Sequence, residues 1–312
     1  MLEIFNDGWI ADRVQQREAV NKGMVSDLDK LLQLAEGFSD DNNTVPPVLE
    51  WEALSSVLDD LPDIETRWWQ VPGAAELFTP SQSYRPNCAG FAMANAALAR
   101  AIIQRQSQFA ELKLEKFNPF VTWILSKGGK VWGGQTISKI ARYGNEFGNY
   151  LASDVGDYTP AKTTFETGGE AGENAKKHQI GLCYYTGAEP VEDLLRALKK
   201  GFTAIVGQSN AVQPNTYKDE NGVECVRVGG SWSHATAFAG FHRAGESDYA
   251  FWINSHGNIY PSDDGSPAFG GWMDAKTLKE FFASTFLDIC FVTYCEAEHD
   301  LTLKPTLNPE DS

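Results

Sequence analysis

The chain has 312 residues, roughly twice the common domain length, so it holds either one large domain with an extension or two small ones. With 26 Lys+Arg against 42 Asp+Glu, its net charge of −16 repels phosphate backbones and anionic lipid, which argues against nucleic acid and membrane surfaces as partners. Hydrophobic residues make up 42%, enough for a substantial core, and no apolar run approaches the roughly 18 residues of a membrane span.

The first residues, Met1-Leu-Glu-Ile-Phe-Asn-Asp7, lack the basic, apolar and small-residue sequence of a secretory signal. A cytoplasmic location is the expectation, with packaging into a virion as the exception. The five cysteines (Cys88, Cys183, Cys225, Cys290, Cys295) are odd in number and without Cys-x-x-Cys spacing, against both a disulfide framework and a zinc site. No cofactor motif is apparent. Asp263-Asp-Gly-Ser266 lacks the liganding periodicity of a calcium loop, so no metal is expected.

Residues 1–62 read as a helical extension. Leu28, Leu31, Leu32 and Leu34 follow a Ser26 cap, and Val48 to Leu61 repeats the amphipathic pattern beyond the polar Asp40–Thr44. Trp68-Trp69 and Leu77-Phe78 then lead to Ser81-Gln-Ser-Tyr-Arg-Pro-Asn-Cys88. From Cys88 to about Gln106 the residues are helix formers, with Asn87 as the expected N-cap. Cys88 therefore falls on a first helical turn, where open N–H groups and the helix dipole favour a thiolate. Taken alone, it still reads as an ordinary buried thiol.

Phe117–Trp123 is followed by the glycine-rich Lys127-Gly-Gly-Lys-Val-Trp-Gly-Gly134, whose glycines imply close backbone approach, and by a helix from Thr136 to Arg142 ended by Gly144. Residues 145–180 read as a polar connection. Pro190–Lys200 is an amphipathic helix ending at Gly201, with the apolar strand Phe202–Val206 behind it. Cys225–Val228, Ala235–Phe241, Tyr249–Ile253 and Leu287–Tyr294 are further strand candidates, rich in β-branched and aromatic residues. Helices followed by strands predict an α+β fold with the site between the two halves.

A reactive thiol needs a base. His234 heads an apolar strand in Ser231-Trp-Ser-His-Ala-Thr-Ala-Phe-Ala-Gly-Phe241, and Asn254 ends another in Phe251-Trp-Ile-Asn-Ser-His-Gly257. The Asn254 amide is placed to hydrogen-bond one imidazole nitrogen and leave the other for the thiol.

In order and spacing these residues resemble the papain-like cysteine proteases. The match comprises Gln82 six residues before Cys88, a helix beginning at Cys88, the pair Gly133-Gly134, and His234-Ala235 followed by Gly240-Phe241. Asn254-Ser-x-Gly257 and Gly270-Gly-Trp272 close it, over roughly residues 65–295. The chain departs from the family at Arg85-Pro-Asn-Cys88-Ala, where a cysteine and an aromatic residue are missing, and at His256, where a tryptophan usually stands.

The resemblance implies a papain-like α+β domain over 63–312, with a helical half at about 63–200, an antiparallel sheet half at about 201–296 and a polar tail at 297–312. It implies a cysteine peptidase-type hydrolase of peptide or other amide bonds. Cys88 would be the nucleophile, paired as thiolate with His234 as acid and base. Asn254 would orient His234, and Gln82 would hold the oxyanion with the Cys88 N–H. Gly133, Gly134 and Ala235 would bind substrate. Partners would be a peptide or protein substrate, with protein assembly through residues 1–62. That extension is expected outside the catalytic groove, leaving it open. The alternative is a weak or inactive papain-like module serving as a structural component of a larger assembly such as a virus particle.

Overall fold

The computed structural model describes residues 48–104 and 115–295. The expected helix at 26–36, the loop at 40–44 and the tail at 297–312 lie outside these residues. Strand β1 (Val48–Glu50) leads into α1 (Trp51–Leu58), then α2 (Cys88–Gln104), α3 (Pro119–Leu125), α4 (Ile137–Phe147), α5 (Ala152–Val155) and α6 (Gly169–Lys176). Strand β2 (Ile180–Tyr184), α7 (Pro190–Lys199), β3 (Thr203–Lys218), β4 (Glu224–Ala244), β5 (Ser247–Ile253), β6 (Gly270–Asp274), α8 (Ala275–Phe282) and β7 (Leu287–Cys295) complete the order. One seven-stranded sheet runs β1-β2-β7-β3-β4-β5-β6. Its pairings are antiparallel except β1 with β2 and a single β4–β6 contact at Cys225 and Trp272.

Both faces of the sheet are covered, and alternation along its strands decides which residue goes where. Ile205, Ala235, Ala237, Ala239 and Val292 pack on the side of α2, whose Ala92, Ala96, Ala99 and Ile102 are buried with them. The small alanines on both surfaces bring this helix close to the sheet. Val206, Phe238, Trp252 and Phe291 point the other way, against Leu194 and Leu198 of α7, Leu278 and Phe281 of α8, and Trp51 and Leu54 of α1. Among the described residues, no helix is long and apolar enough to cross a membrane.

The α+β class is as expected, with the cysteine-bearing helix against the sheet. Several details differ. The predicted strands at 225–228 and 235–241 are one 21-residue strand, β4, hairpinned to a 16-residue β3 through the turn at Asp219–Gly222. Asp219 closes that turn by accepting from the N–H groups of Asn221 and Val223 at 3.0 and 2.9 Å. The supposed connection 145–180 contains α5 and α6, and β2 begins at its end.

Gly144 does not stop its helix. A Cβ there would lie 3.1 Å from both Ile180 Cδ1 and Met93 Sδ, so this glycine serves packing. The stop is Gly148, at φ +80°, where a Cβ would sit 1.7 Å from the Ala175 carbonyl oxygen.

The boundary expected at residue 62 falls inside this unit. Residues 48–50 pair with Leu182–Tyr184 as an edge strand, and the Trp51 ring stacks on Phe291 at 5.3 Å. A three-residue strand and an eight-residue helix stand where one helix over Val48–Leu61 was expected. Main-chain pairing with β2 holds 48–50 extended, and the amphipathic remainder forms the helix.

Candidate active site

Helix α2 begins at Cys88. Asn87 precedes it, and its main-chain carbonyl accepts from the Gly90 and Phe91 N–H groups at 3.0 and 3.2 Å. Its side-chain oxygen makes no capping bond, contrary to expectation, so the first-turn N–H groups are not closed by a cap.

Cys88 is half-buried at the junction of α2 and β4. The backbone N–H groups of Ala235, Ala89 and Cys88 itself donate toward its sulfur and favour the thiolate. Burial opposes them and dominates, so the thiol pKa is pushed up. The expectation from the helix dipole alone thus has the wrong sign for the resting site, because it omits the cost of desolvating a sulfur enclosed between helix and sheet.

His234 lies next to Ala235 on β4 and is buried. Its Nε2–H donates to Asn254 Oδ1 at 2.8 Å, which fixes the neutral tautomer and leaves Nδ1 as the basic nitrogen. Asn254 is itself held: Oδ1 also accepts from the Ser255 N–H at 2.8 Å, and Nδ2 donates to Tyr260 Oη at 2.9 Å. The imidazole stacks on His256 at 4.5 Å and 29°, and Trp232, two residues back on the same strand, lies 4.5 Å away. Burial lowers the His234 pKa to about 4; the Asn254 bond works against this and the charge of His256 adds to it. Cys88 and His234 are therefore both neutral near pH 7 in the resting protein.

Gln82 is clamped beside them. Its N–H donates to the Ser255 carbonyl at 2.8 Å, and its carbonyl accepts from Tyr158 Oη at 2.5 Å. Oε1 accepts from Ser255 Oγ at 2.5 Å and Nε2 donates to the Arg85 carbonyl at 2.9 Å. One amide hydrogen of Nε2 has no partner among the described residues. Ser255 thus ties Gln82 to Asn254, a link that sequence reasoning passed over although it is the serine of the quoted Asn-Ser-x-Gly motif. Tyr260 and Trp232 were also missed, since nothing in a lone aromatic residue signals which polar group it meets.

Gly133 and Gly134 are exposed in the loop after α3. Lys127 Nζ donates to the carbonyls of Trp132 and Gly133 and so braces it. Gly133 needs its φ of +85°, but a Cβ on Gly134 would meet nothing within 4 Å. The close approach inferred from these glycines is not to the chain's own backbone. Asp264, in the segment weighed for calcium, is occupied internally by Ser262, the Ser266 N–H and Trp272 Nε1.

The site is thus a thiol at a helix start, an imidazole oriented by a buried amide, and a second amide tied to the first, in a chain order of Gln, Cys, His, Asn. No protein-family model matches the sequence, and no curated protein matches it significantly. Solved structures similar to it include xylellain, a cysteine protease from Xylella fastidiosa, at 13% identity and TM-score 0.45, covering 74% of this chain and 90% of that one. ProCathepsin B S9 from Trypanosoma congolense is 14% identical at TM-score 0.49, covering 94% and 99%. A digestive procathepsin L 3 of Tenebrio molitor larval midgut is 12% identical at TM-score 0.42, covering 87% and 90%. Likenesses this distant transfer no residue roles, and the functional reading rests on the geometry above.

Proposed function

We propose that the chain is a cysteine hydrolase of peptide or other amide bonds. The observation that carries this is the buried His234 held through Nε2 by Asn254 Oδ1 at 2.8 Å, with its neighbour on β4, Ala235, favouring the Cys88 thiolate through its N–H. His234 Nδ1 takes the thiol proton as Cys88 Sγ bonds to the substrate carbonyl carbon. The resulting oxyanion is held by the unused Gln82 N–H and the Cys88 N–H, preorganised donors of the kind that lower such barriers by about 3 kcal/mol each. The imidazolium then protonates the leaving amine as the C–N bond breaks. Water, deprotonated by His234, hydrolyses the thioester and restores the thiol.

A neutral resting pair fits this order of events, because the proton moves with attack and the ion pair need not stand ready. Gly133 and Gly134 offer main-chain edge groups to an extended substrate, with Ala235 beside the thiol. Limiting iodoacetamide followed by peptide mapping tests the nucleophile. Cys88 is expected to label first and His234→Ala to slow it. Preferential labelling of Cys183, Cys225 or Cys290 would sink the reading and return the chain to a non-catalytic role in an assembly.

A further inference from the structure

Three residues before Cys88, Arg85 is a buried cation with 6% of its surface exposed. Its Nε donates to the Pro160 carbonyl at 2.6 Å. Its guanidinium carbon lies 4.7 Å from the Trp132 ring centre, 5.6 Å from that of Phe120 and 5.4 Å from that of Tyr84. Among the described residues the bond from Nε is its one side-chain hydrogen bond and no carboxylate pairs with it; Nη1 and Nη2, which carry four of its five N–H donors, meet no protein acceptor and are not fully buried. Buried guanidinium groups are ordinarily paired, because π faces and one carbonyl do not replace a full hydration shell.

The surroundings repeat the sign. Lys127 lies 3.9 Å from the Trp123 ring centre, gives its hydrogens to main-chain carbonyls, and has its pKa lowered by burial and by Lys130 nearby. No ion pair reaches Lys127 or Lys130 among the described residues. In a chain of net charge −16, this wall is a local reversal. Trp132 and Tyr84, which flank Arg85, are 59% and 62% exposed.

Place ties this cation to the site. The Arg85 carbonyl accepts from Gln82 Nε2, so the oxyanion candidate and the cation share one turn. The ring that Arg85 stacks on immediately precedes Gly133. Trp132 thus joins the turn that carries Gln82 and Arg85 to the glycine pair proposed above to take the substrate main chain.

We propose that Arg85 determines specificity, and that the preferred substrate carries a carboxylate side chain on the acyl side of the scissile bond, seated on the Nη1 and Nη2 edge between Tyr84 and Trp132. The proposal rests on the hydrolase reading for the position of that bond, and on Arg85 itself for the charge. A carboxylate there supplies the two parallel acceptors that a guanidinium fork lacks in this site.

The test uses acetylated hexapeptide amides that differ only by Glu or Gln, stepped through each position. Each pair is titrated by calorimetry against the full-length Cys88→Ala variant and offered as a fluorogenic substrate to the wild type. At one position Glu is expected to bind about tenfold tighter than Gln, with the gap closing as salt rises. Arg85→Gln erases that ratio and Arg85→Lys keeps part of it. Equal affinities at every position, or a Glu preference that survives Arg85→Gln, overturn the proposal. The wild-type ratio decides even if Arg85→Gln fails to fold. A Glu preference in binding with no turnover of any pair refutes the hydrolase reading and leaves the carboxylate site standing; turnover without the preference does the reverse.

Discussion

Asn254→Ala is the sharpest probe of the site. The substitution removes the oxygen that accepts from His234 Nε2 and from the Ser255 N–H, both at 2.8 Å, and the nitrogen that donates to Tyr260 Oη at 2.9 Å. His234, Ser255 and Tyr260 are each buried, so the orphaned groups gain little from water. At about 1 kcal/mol for each of three lost bonds, the expected destabilisation is about 3 kcal/mol. Tyr260→Phe, which deletes only the outermost bond, is expected to cost about 1 kcal/mol.

The electrostatic consequence has a definite sign. The Asn254 bond holds the His234 pKa up against burial, so its loss moves the titration further down from about 4. Urea denaturation at pH 7 reads the stability, and nuclear magnetic resonance of labelled histidine reads the titration. An Asn254→Ala protein within about 0.5 kcal/mol of wild type, with His234 titrating no lower, would refute the chain from imidazole through amide to phenol.

Acidification tests the same histidine by linkage. With a folded pKa of about 4 against an ordinary 6.5, the folded protein binds fewer protons than the unfolded chain between those values. That stability is complete above about pH 6.5 and falls by about 3 kcal/mol on the way to pH 4, a loss that His234→Gln should abolish in denaturant titrations. Asp264, held at about 2 by its Ser262, Ser266 and Trp272 hydrogen bonds, adds a separate loss below its ordinary 3.8, removable by Asp264→Asn. Gln82→Ala is expected to lower kcat about a hundredfold with little change in KM, the sign of a donor used only in the transition state; an equal loss in binding would count against its oxyanion role. Gly148→Ala, which drives a Cβ to 1.7 Å from the Ala175 oxygen, should exceed about 3 kcal/mol of destabilisation, whereas Gly73→Ala, at φ +78° with nothing within 4 Å, should cost only about 1 kcal/mol of backbone strain.

What was legible from the sequence was local. The run Cys88–Gln104 declares a helix through its alanines, and α7 does so through Val191, Leu194, Leu195 and Leu198. β1 and β2 were not legible, since three residues or Ile-Gly-Leu-Cys-Tyr carry too little alternation and are strands only through their partners. Gly144 was misread because its glycine answers Ile180 and Met93, which are remote in sequence. At the candidate site, order and type pointed to Cys88, His234, Asn254 and Gln82, and the hydrogen bond of His234 to Asn254 and the links of Gln82 through Ser255 are the geometry found there. The upward push on the thiol could not be read this way, being a property of the enclosure between α2 and β4. Arg85, in a loop before a proline, looks like a solvated charge until Trp132 is placed against it.

The two ends of the sheet are finished differently, and this bears on self-association. At one end β4 reaches round to touch β6 at Cys225 and Trp272, so the strand order curls back on itself. At the other, among the described residues, the three-residue β1 is the last strand beyond β2. Remove them and Ile180–Tyr184 offers a row of unpaired N–H and C=O groups, with Leu182 and Cys183, both fully buried in the intact chain, beside it. Such an apolar rim templates pairing with another molecule. A chain shortened to begin at Asp63 should therefore scatter more light per unit mass as its concentration rises, while the full-length chain keeps a constant ratio, and the small N-terminal strand is then the cover that keeps one copy of the sheet from continuing into the next.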